Sequence, residues 1–281
     1  MTTAAPRATG WRKPGVLPGF KLSLGFTLFY LSLIVLIPLA ALFLRPWTLG
    51  LGGFWAEVTS PRVLAALKLS FGAAAIAAAI NSILGLVIAW TMVRYRFPFK
   101  RLVDALVDLP LALPTAVAGI ALGALYGPHE WLGAPLLAYG IKVAYTPLGI
   151  IVALTFIGLP FVVRTLQPVI AELGMDAEEA AATLGASRLQ TFIRVIFPTL
   201  APALLTGTVL AFARAVGEYG SVIFIAGNLP MVSEIAPLLI IIKLEQYDYA
   251  GAAAIAVAML TVSLAIVLPL NIIQARLSAR R

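Results

Sequence analysis

The sequence predicts an all-α integral membrane protein with six transmembrane helices. Three observations lead there. First, 61% of the 281 residues are hydrophobic and only 11% are charged, far too few charges to cover a soluble domain of that length. Second, the apolar residues lie in runs long enough to cross a bilayer, whose core of about 30 Å takes roughly 20 residues of helix. Third, Lys and Arg concentrate in alternate loops, as membrane topology requires. A mean hydropathy of +1.00 agrees with this class.

Residues 1–21 form a polar, basic tail. Span one, 22–44, is too long for a signal-peptide core, and no small-x-small cleavage site follows it, so it is read as retained. Span two, 65–93, contains FGAAAIAAAINSILG. Span three, 102–125, carries Pro110 and Pro114 in LPLALPTAVAG, and proline breaks or kinks a helix. Gly119, Gly123 and Gly127 recur there every fourth residue. Small residues let helices approach closely in lipid, either within the chain or at a subunit interface. Span four, 146–163, is shorter and Pro-punctuated but free of charge before Arg164. Spans five, 199–226, and six, 252–273, complete one transmembrane domain over 22–275, and 276–281 form a second basic tail.

The cations orient this arrangement. Arg7, Arg12, Lys13 and Lys21 lie in the first tail. Arg94, Arg96, Lys100 and Arg101 lie in the second loop, and Arg164, Arg188 and Arg194 in the fourth. Arg276, Arg280 and Arg281 close the chain. The opposite side carries fewer: Arg45, Arg62, Lys68, Lys142 and Lys243. The positive-inside rule therefore puts both termini in the cytoplasm. Trp47, Trp55, Trp90 and Trp131 fall near span ends, as an interfacial belt requires. The net charge of +8 thus speaks of orientation, not of nucleic acid.

The longest polar segment, 164–198, falls on the cytoplasmic side. Asp176 and Glu179 have the spacing of a capping box, and Glu178 and Glu179 suit a helix N-terminus. Gly185 suits a left-handed turn at that helix's end. Ser187 and Gln190 open a second helix, on which Leu189, Phe192, Ile193 and Ile196 would share one face. Pro198 begins the next span. The pattern describes a surface helical hairpin, which either links two spans or docks a partner.

Few charges lie within the spans. Arg214 and Glu218 in LAFARAVGEYGSVIFIAG are four apart and would share a helix face. Each costs about 2.5–3.5 kcal/mol at a helix centre, so they form either a packing salt bridge or part of a translocation pathway or gate. Pro110 to Gly119 is a second pathway candidate, since freed backbone at depth must face protein or water. Asn81 and Ser82 are read chiefly as interhelical hydrogen bonders. Asp104 and Asp108 are expected at the cytoplasmic interface, paired with Lys100 and Arg101.

Chemistry is excluded more readily than assigned. Without cysteine there are no disulfides, thiolate metal sites or iron–sulfur clusters, and His129 alone builds no metal cluster. No lysine sits in a G-x-x-x-x-G-K-[ST] pattern, so the chain is expected to hydrolyse no ATP itself. No triad or acid pair within the spans points to an intramembrane enzyme.

One motif goes further. Glu179-Ala180-Ala181, three residues, Gly185, nine residues, then Val195-x-Phe197-Pro198 resembles the EAA loop of ABC-importer permeases, EAA-x3-G-x9-I-x-L-P. Val195 and Phe197 replace its Ile and Leu. The segments PGFKLSLGFTLFYLSLIVLIPLAALF, DLPLALPTAVAGIAL and FARAVGEYGSVIFIAGN resemble the T-type permease of sulfate/thiosulfate importers. The related molybdate permeases share the ARA-x-GE-[FY]-G core.

The resemblance implies the ABC-importer permease (MetI-like) fold, with coupling helices between spans four and five, in a bacterial inner membrane. It also implies two ATP-binding subunits holding ATP and Mg, a second homologous permease and an extracytoplasmic sulfate-binding protein. Glu179, Ala180, Ala181, Gly185 and Pro198 would serve coupling to the ATPase. Molybdate or tungstate is the alternative cargo. A secondary anion transporter or channel, or a structural membrane subunit without a pathway, is the alternative class.

Overall fold

The computed structural model describes residues 19–278. The chain forms two compact units, Met1–Leu44 and Arg45–Arg281. The first has helix α1 (Phe20–Leu31), a wide π turn (Ser32–Leu36) and helix α2 (Ile37–Leu44). Its large apolar side chains, among them Leu22, Phe26 and Ile37, are exposed, as lipid-facing residues are. Of the tail 1–21, residues 1–18 lie outside the described residues.

The second unit opens with a 3-10 turn (Arg45–Leu49) and continues as α3 (Gly50–Val58), α4 (Pro61–Arg94), α5 (Lys100–Ala112) and α6 (Thr115–Tyr126). Next come α7 (Gly133–Ala138), α8 (Pro147–Glu172), α9 (Asp176–Thr183) and α10 (Arg188–Thr191). A second π turn (Phe192–Ile196) leads into α11 (Phe197–Val216), and α12 (Val222–Ile225), α13 (Ala236–Glu245) and α14 (Tyr249–Ser278) follow. Among the described residues, five helical runs are long and apolar enough to cross a membrane, or six if the bent pair α5–α6 is one span.

The core is a three-helix junction of α4, α8 and α11. Its close approach is made by small residues. Ala73, Ala74, Ala77 and Ala78 of α4 and Ala153 of α8 are essentially fully buried. A Cβ at Gly85 would press on Val162, and one at Gly207 would meet the Val162 backbone. Burial of apolar surface gives no drive between helices in lipid, so dispersion across such close contacts must hold them. α13 packs on α14, and α12 on α6.

Three expected spans differ from the structure. Span three is bent by 114° between Lys100–Ala112 and Thr115–Tyr126. Pro114 lacks an N–H and forces Leu113 into extended backbone, φ −80° and ψ 138°. Pro110, by contrast, is accommodated inside α5. Span four does not stop at 163 but runs to Glu172, so Arg164 is helical and the polar loop begins later. The reason is that Arg164 finds two carboxylate partners on α5. Span five does not reach 226: α11 ends at Val216, Gly217 caps it, and only the four-residue α12 follows. α13, ten residues within the connection expected between spans five and six, is too short to span. At the C-terminus, α14 runs through 276–278, and residues 279–281 lie outside the described residues.

Candidate functional site: a docking hairpin joined to a buried ion pair

The hairpin is built from local signals. Asp176, Glu178 and Glu179 fill the first turn of α9, where carboxylates meet the positive end of the helix dipole. The capping box expected from Asp176 and Glu179 is not formed: Met175 is the N-cap and Asp176 is already helical. Gly185 adopts φ +80°, and the Gly185 and Ala186 N–H groups bond back to Ala182 and Ala181 carbonyls, each at 3.0 Å. Only glycine takes that conformation without steric cost. Two residues on, the Ser187 hydroxyl accepts from Gln190 N–H at 3.3 Å, while the Gln190 side chain accepts from Ser187 N–H at 2.9 Å. This capping box is as expected.

The motif residues divide. Glu179 and Ala180 are exposed, whereas Ala181 turns inward and is buried against the chain. Ala182, next in the chain, is exposed. Pro198 is exposed at the start of α11. The hairpin is fastened by a residue outside the motif, Glu178, which pairs with Arg94 at the end of α4 at 2.7 Å. Arg94 also donates to the Leu173 carbonyl at 2.8 Å and lies 5.1 Å over the Trp90 ring.

After the hairpin, the helix does not stop. α10, the π turn and α11 form one run, Arg188–Val216, of 29 residues. The π turn lies just ahead of Pro198, whose ring would otherwise press on a carbonyl one turn back. Its extra residue also rotates the face. Leu189 and Ile193 are exposed while Ile196 is buried, so the four apolar residues do not share one face.

The far end of that run carries the ion pair. Arg214 Nη1 lies 2.6 Å from Glu218 Oε2; the Arg214 side chain is 37% exposed and that of Glu218 2%. Glu218 lies beyond the Gly217 cap, so the pair ties the segment past the helix end back to the helix instead of decorating one helix face. The other Glu218 oxygen accepts from Ser221 N–H at 3.0 Å and Ser221 Oγ at 3.1 Å. The break in span three lies alongside. A Cβ at Gly220 would strike the Thr115 side chain, and one at Gly119 the Ser221 backbone. The Pro114 break and the Gly217–Ser221 break therefore meet, while Pro110 is buried in α5.

Asp104 and Asp108 do not pair as expected. They hold Arg164, which donates from Nη1 to Asp104 and from Nε to Asp108, both at 2.7 Å, and not Lys100 and Arg101 in ion pairs. The planar guanidinium bridges two carboxylates one turn apart, which an ammonium cannot do as well. Ser82 bonds Thr208 at 2.6 Å across α4 and α11, as expected of an interhelical polar pair. Asn81 is buried without a hydrogen-bond partner for either amide atom.

A family model described as "Binding-protein-dependent transport system inner membrane component" matches residues 81–281. The chain belongs to this family. The sulfate transport system permease protein CysT of Salmonella typhimurium is 49% identical over 265 residues, covering 94% of this chain and 96% of that protein. The CysT protein of Synechocystis is 50% identical over 248 residues, covering 88% and 87%. A bacterial ABC transporter involved in alginate import has a chain of the same fold, with TM-score 0.75 and 14% identity over 92% of this chain and 95% of that one. Membership in the transport family sets aside the secondary-transporter and channel alternatives, and makes this chain a multi-pass inner membrane transport component with the ABC-importer permease fold.

Proposed function

We propose that the chain is one permease half of an ATP-driven importer of sulfate, with thiosulfate as a second cargo. The sulfate assignment is supported by the relatives named as sulfate permeases. One observation carries the mechanism: the single helical run Arg188–Val216, which starts in the hairpin and ends beside the Arg214–Glu218 pair. At 1.5 Å per residue it is about 43 Å long.

In this reading two cytosolic ATPases bind ATP and Mg, and one receives the surface formed by Glu179, Ala180 and the Gly185 turn. A second homologous permease completes the pathway, and an extracytoplasmic binding protein delivers the anion. Both termini and the hairpin lie in the cytoplasm. Closure of the ATPase pair pushes the hairpin, the run carries the displacement to the two helix breaks, and the cavity between permeases changes side. Arg214 offers the anion a partial charge, and Glu218 keeps that cation from trapping it. The 2.6 Å pair is thereby a gate rather than a binding site. Gly185 fixes the angle of the lever, and Pro198 marks its entry into the membrane.

The test is labelled sulfate uptake in a host that lacks this chain and retains its partner subunits. Restored, ATP-dependent uptake that thiosulfate inhibits and molybdate does not supports this cargo. Strong inhibition by molybdate or tungstate, with little by thiosulfate, moves the assignment to those anions. No uptake of any oxyanion by a verified complex overturns it.

A further inference from the structure

We propose that a cleft between α4 and the hairpin binds an anionic phospholipid of the cytoplasmic leaflet; this rests on the orientation given under the proposed function. The cleft has a volume of about 590 Å³. It has two chemically distinct ends. Leu86 and Val87 of α4, with Phe192 and Ile196, line its apolar part. Trp90 of α4 and Tyr95 just past its end, with Arg188 at the start of the long helical run, line the other part. From Leu86 to Tyr95 the rise is about 13 Å, close to the distance from acyl chain to headgroup. Trp and Tyr are the aromatic residues that settle at that boundary.

Charge selects the headgroup. Glu178 is an acid in the cleft wall, and Arg94 neutralises it at 2.7 Å. Because Arg94, beside the cleft, already holds Glu178, exposed Arg188 is the charge of the lining left to meet a ligand. Val87 and Tyr95 are exposed, so the cleft opens laterally along α4. A free inorganic anion would use the cationic end and leave the apolar end unused. A phospholipid with a net negative headgroup uses both. Seated there, it lies beside the Arg94–Glu178 tie, between the coupling hairpin and the span that supports it. Anionic lipid would therefore stiffen the coupling.

The experiment uses the assembled complex, purified in mild detergent with a fixed mixture of phosphatidylglycerol and phosphatidylcholine, and counts retained lipid by native mass spectrometry. Wild type should retain phosphatidylglycerol over phosphatidylcholine. Arg188→Glu should reduce that retention about fivefold or more, the effect of roughly one basic residue near a membrane surface. Val87→Trp, which fills the apolar end, should reduce it similarly. Arg194→Glu, on the same run outside the cleft, should not. Equal retention of the two lipids by wild type, or undiminished phosphatidylglycerol on either cleft variant, overturns the proposal. If Arg188→Glu fails to assemble, Val87→Trp decides alone, because Val87 lies outside the hairpin. The count does not depend on which anion is transported, so loss of the sulfate reading and loss of this one are separable.

Discussion

At the scale of single residues, exposure decides which partner of an ion pair can be spared. Glu218 is almost wholly buried, whereas Arg214 is more than a third exposed. Arg214→Met would strand a carboxylate in the interior with only Ser221 to solvate it, at a cost of about 2 kcal/mol given the partial exposure. Glu218→Gln leaves a cation that reaches water and keeps an acceptor for Ser221, so it should cost about 1 kcal/mol or less. Thermal unfolding of the purified complex should rank Arg214→Met as the worse variant; the reverse order would contradict the burial argument. Gly185 makes a second case. Its φ of +80° costs an L side chain about 1–2 kcal/mol, and nothing lies within reach of a Cβ there. Strain alone then separates Gly185→Leu from Gly185→Asn. The leucine variant should co-purify with less ATPase, and the asparagine variant should retain it, because asparagine tolerates the left-handed region. At the opposite end of the bundle, Gly251 N–H and the Lys243 ammonium hold the Asp248 carboxyl below its usual range. A carboxyl depressed in the folded state stabilises at pH above its unfolded value near 3.9 and loses that contribution as pH falls through its folded value. Asp248→Asn should therefore leave stability flat between about pH 5 and 8 and flatten the loss below about pH 4, as read by unfolding at several pH values.

At the scale of elements, Arg164 is the link between α8 and α5. Asp104 and Asp108 stand one turn apart on α5 and meet the same guanidinium. Arg164→Leu should free α5 while leaving the α4–α8–α11 junction folded. Amide exchange should rise over 100–112 and stay slow over 147–163; uniform protection would show that apolar packing alone holds α5. Such ties explain what the sequence made legible. Apolar runs announced α4, α8, α11 and α14 because lipid burial depends on composition. The hairpin was legible because Gly185 and the Ser187–Gln190 box are local devices whose chemistry lies within four residues. The span ends were hidden. Arg164 reads as a loop residue until its partners on another helix are known, and α11 stops at Val216 through contacts made by Gly220 and Ser221 with α6. Glu178 reads only as a helix N-terminal acid until Arg94, far away in sequence, is known to pair with it. The Asp176 box failed because the helix begins one residue earlier than that pattern requires.

At the scale of the whole molecule, the proposed orientation, with the hairpin in the cytoplasm, can be tested directly. The chain has no cysteine, so any single introduced thiol is a unique probe. Leu184, 88% exposed in the hairpin, and Trp131, 80% exposed between α6 and α7, are suitable positions. In intact cells an impermeant maleimide should label Trp131→Cys and spare Leu184→Cys; inverted vesicles should reverse the pattern. Labelling of Leu184→Cys from outside would overturn the cytoplasmic hairpin. Bound ATPase should then shield that same thiol. The wide turn at Phe192–Ile196 has a bearing on the entire run. Each residue of a helix advances the azimuth by about 100°. The wide turn absorbs a surplus residue that regular helix would convert into that much rotation, and so holds the compass bearing of the hairpin against that of Arg214, like a coupling in a drive shaft. Deleting one residue from the regular part of α11 instead would keep the shaft nearly its full length and turn its handle by about 100°. Such a variant separates transmission by thrust, which would survive, from transmission by torque, which would not.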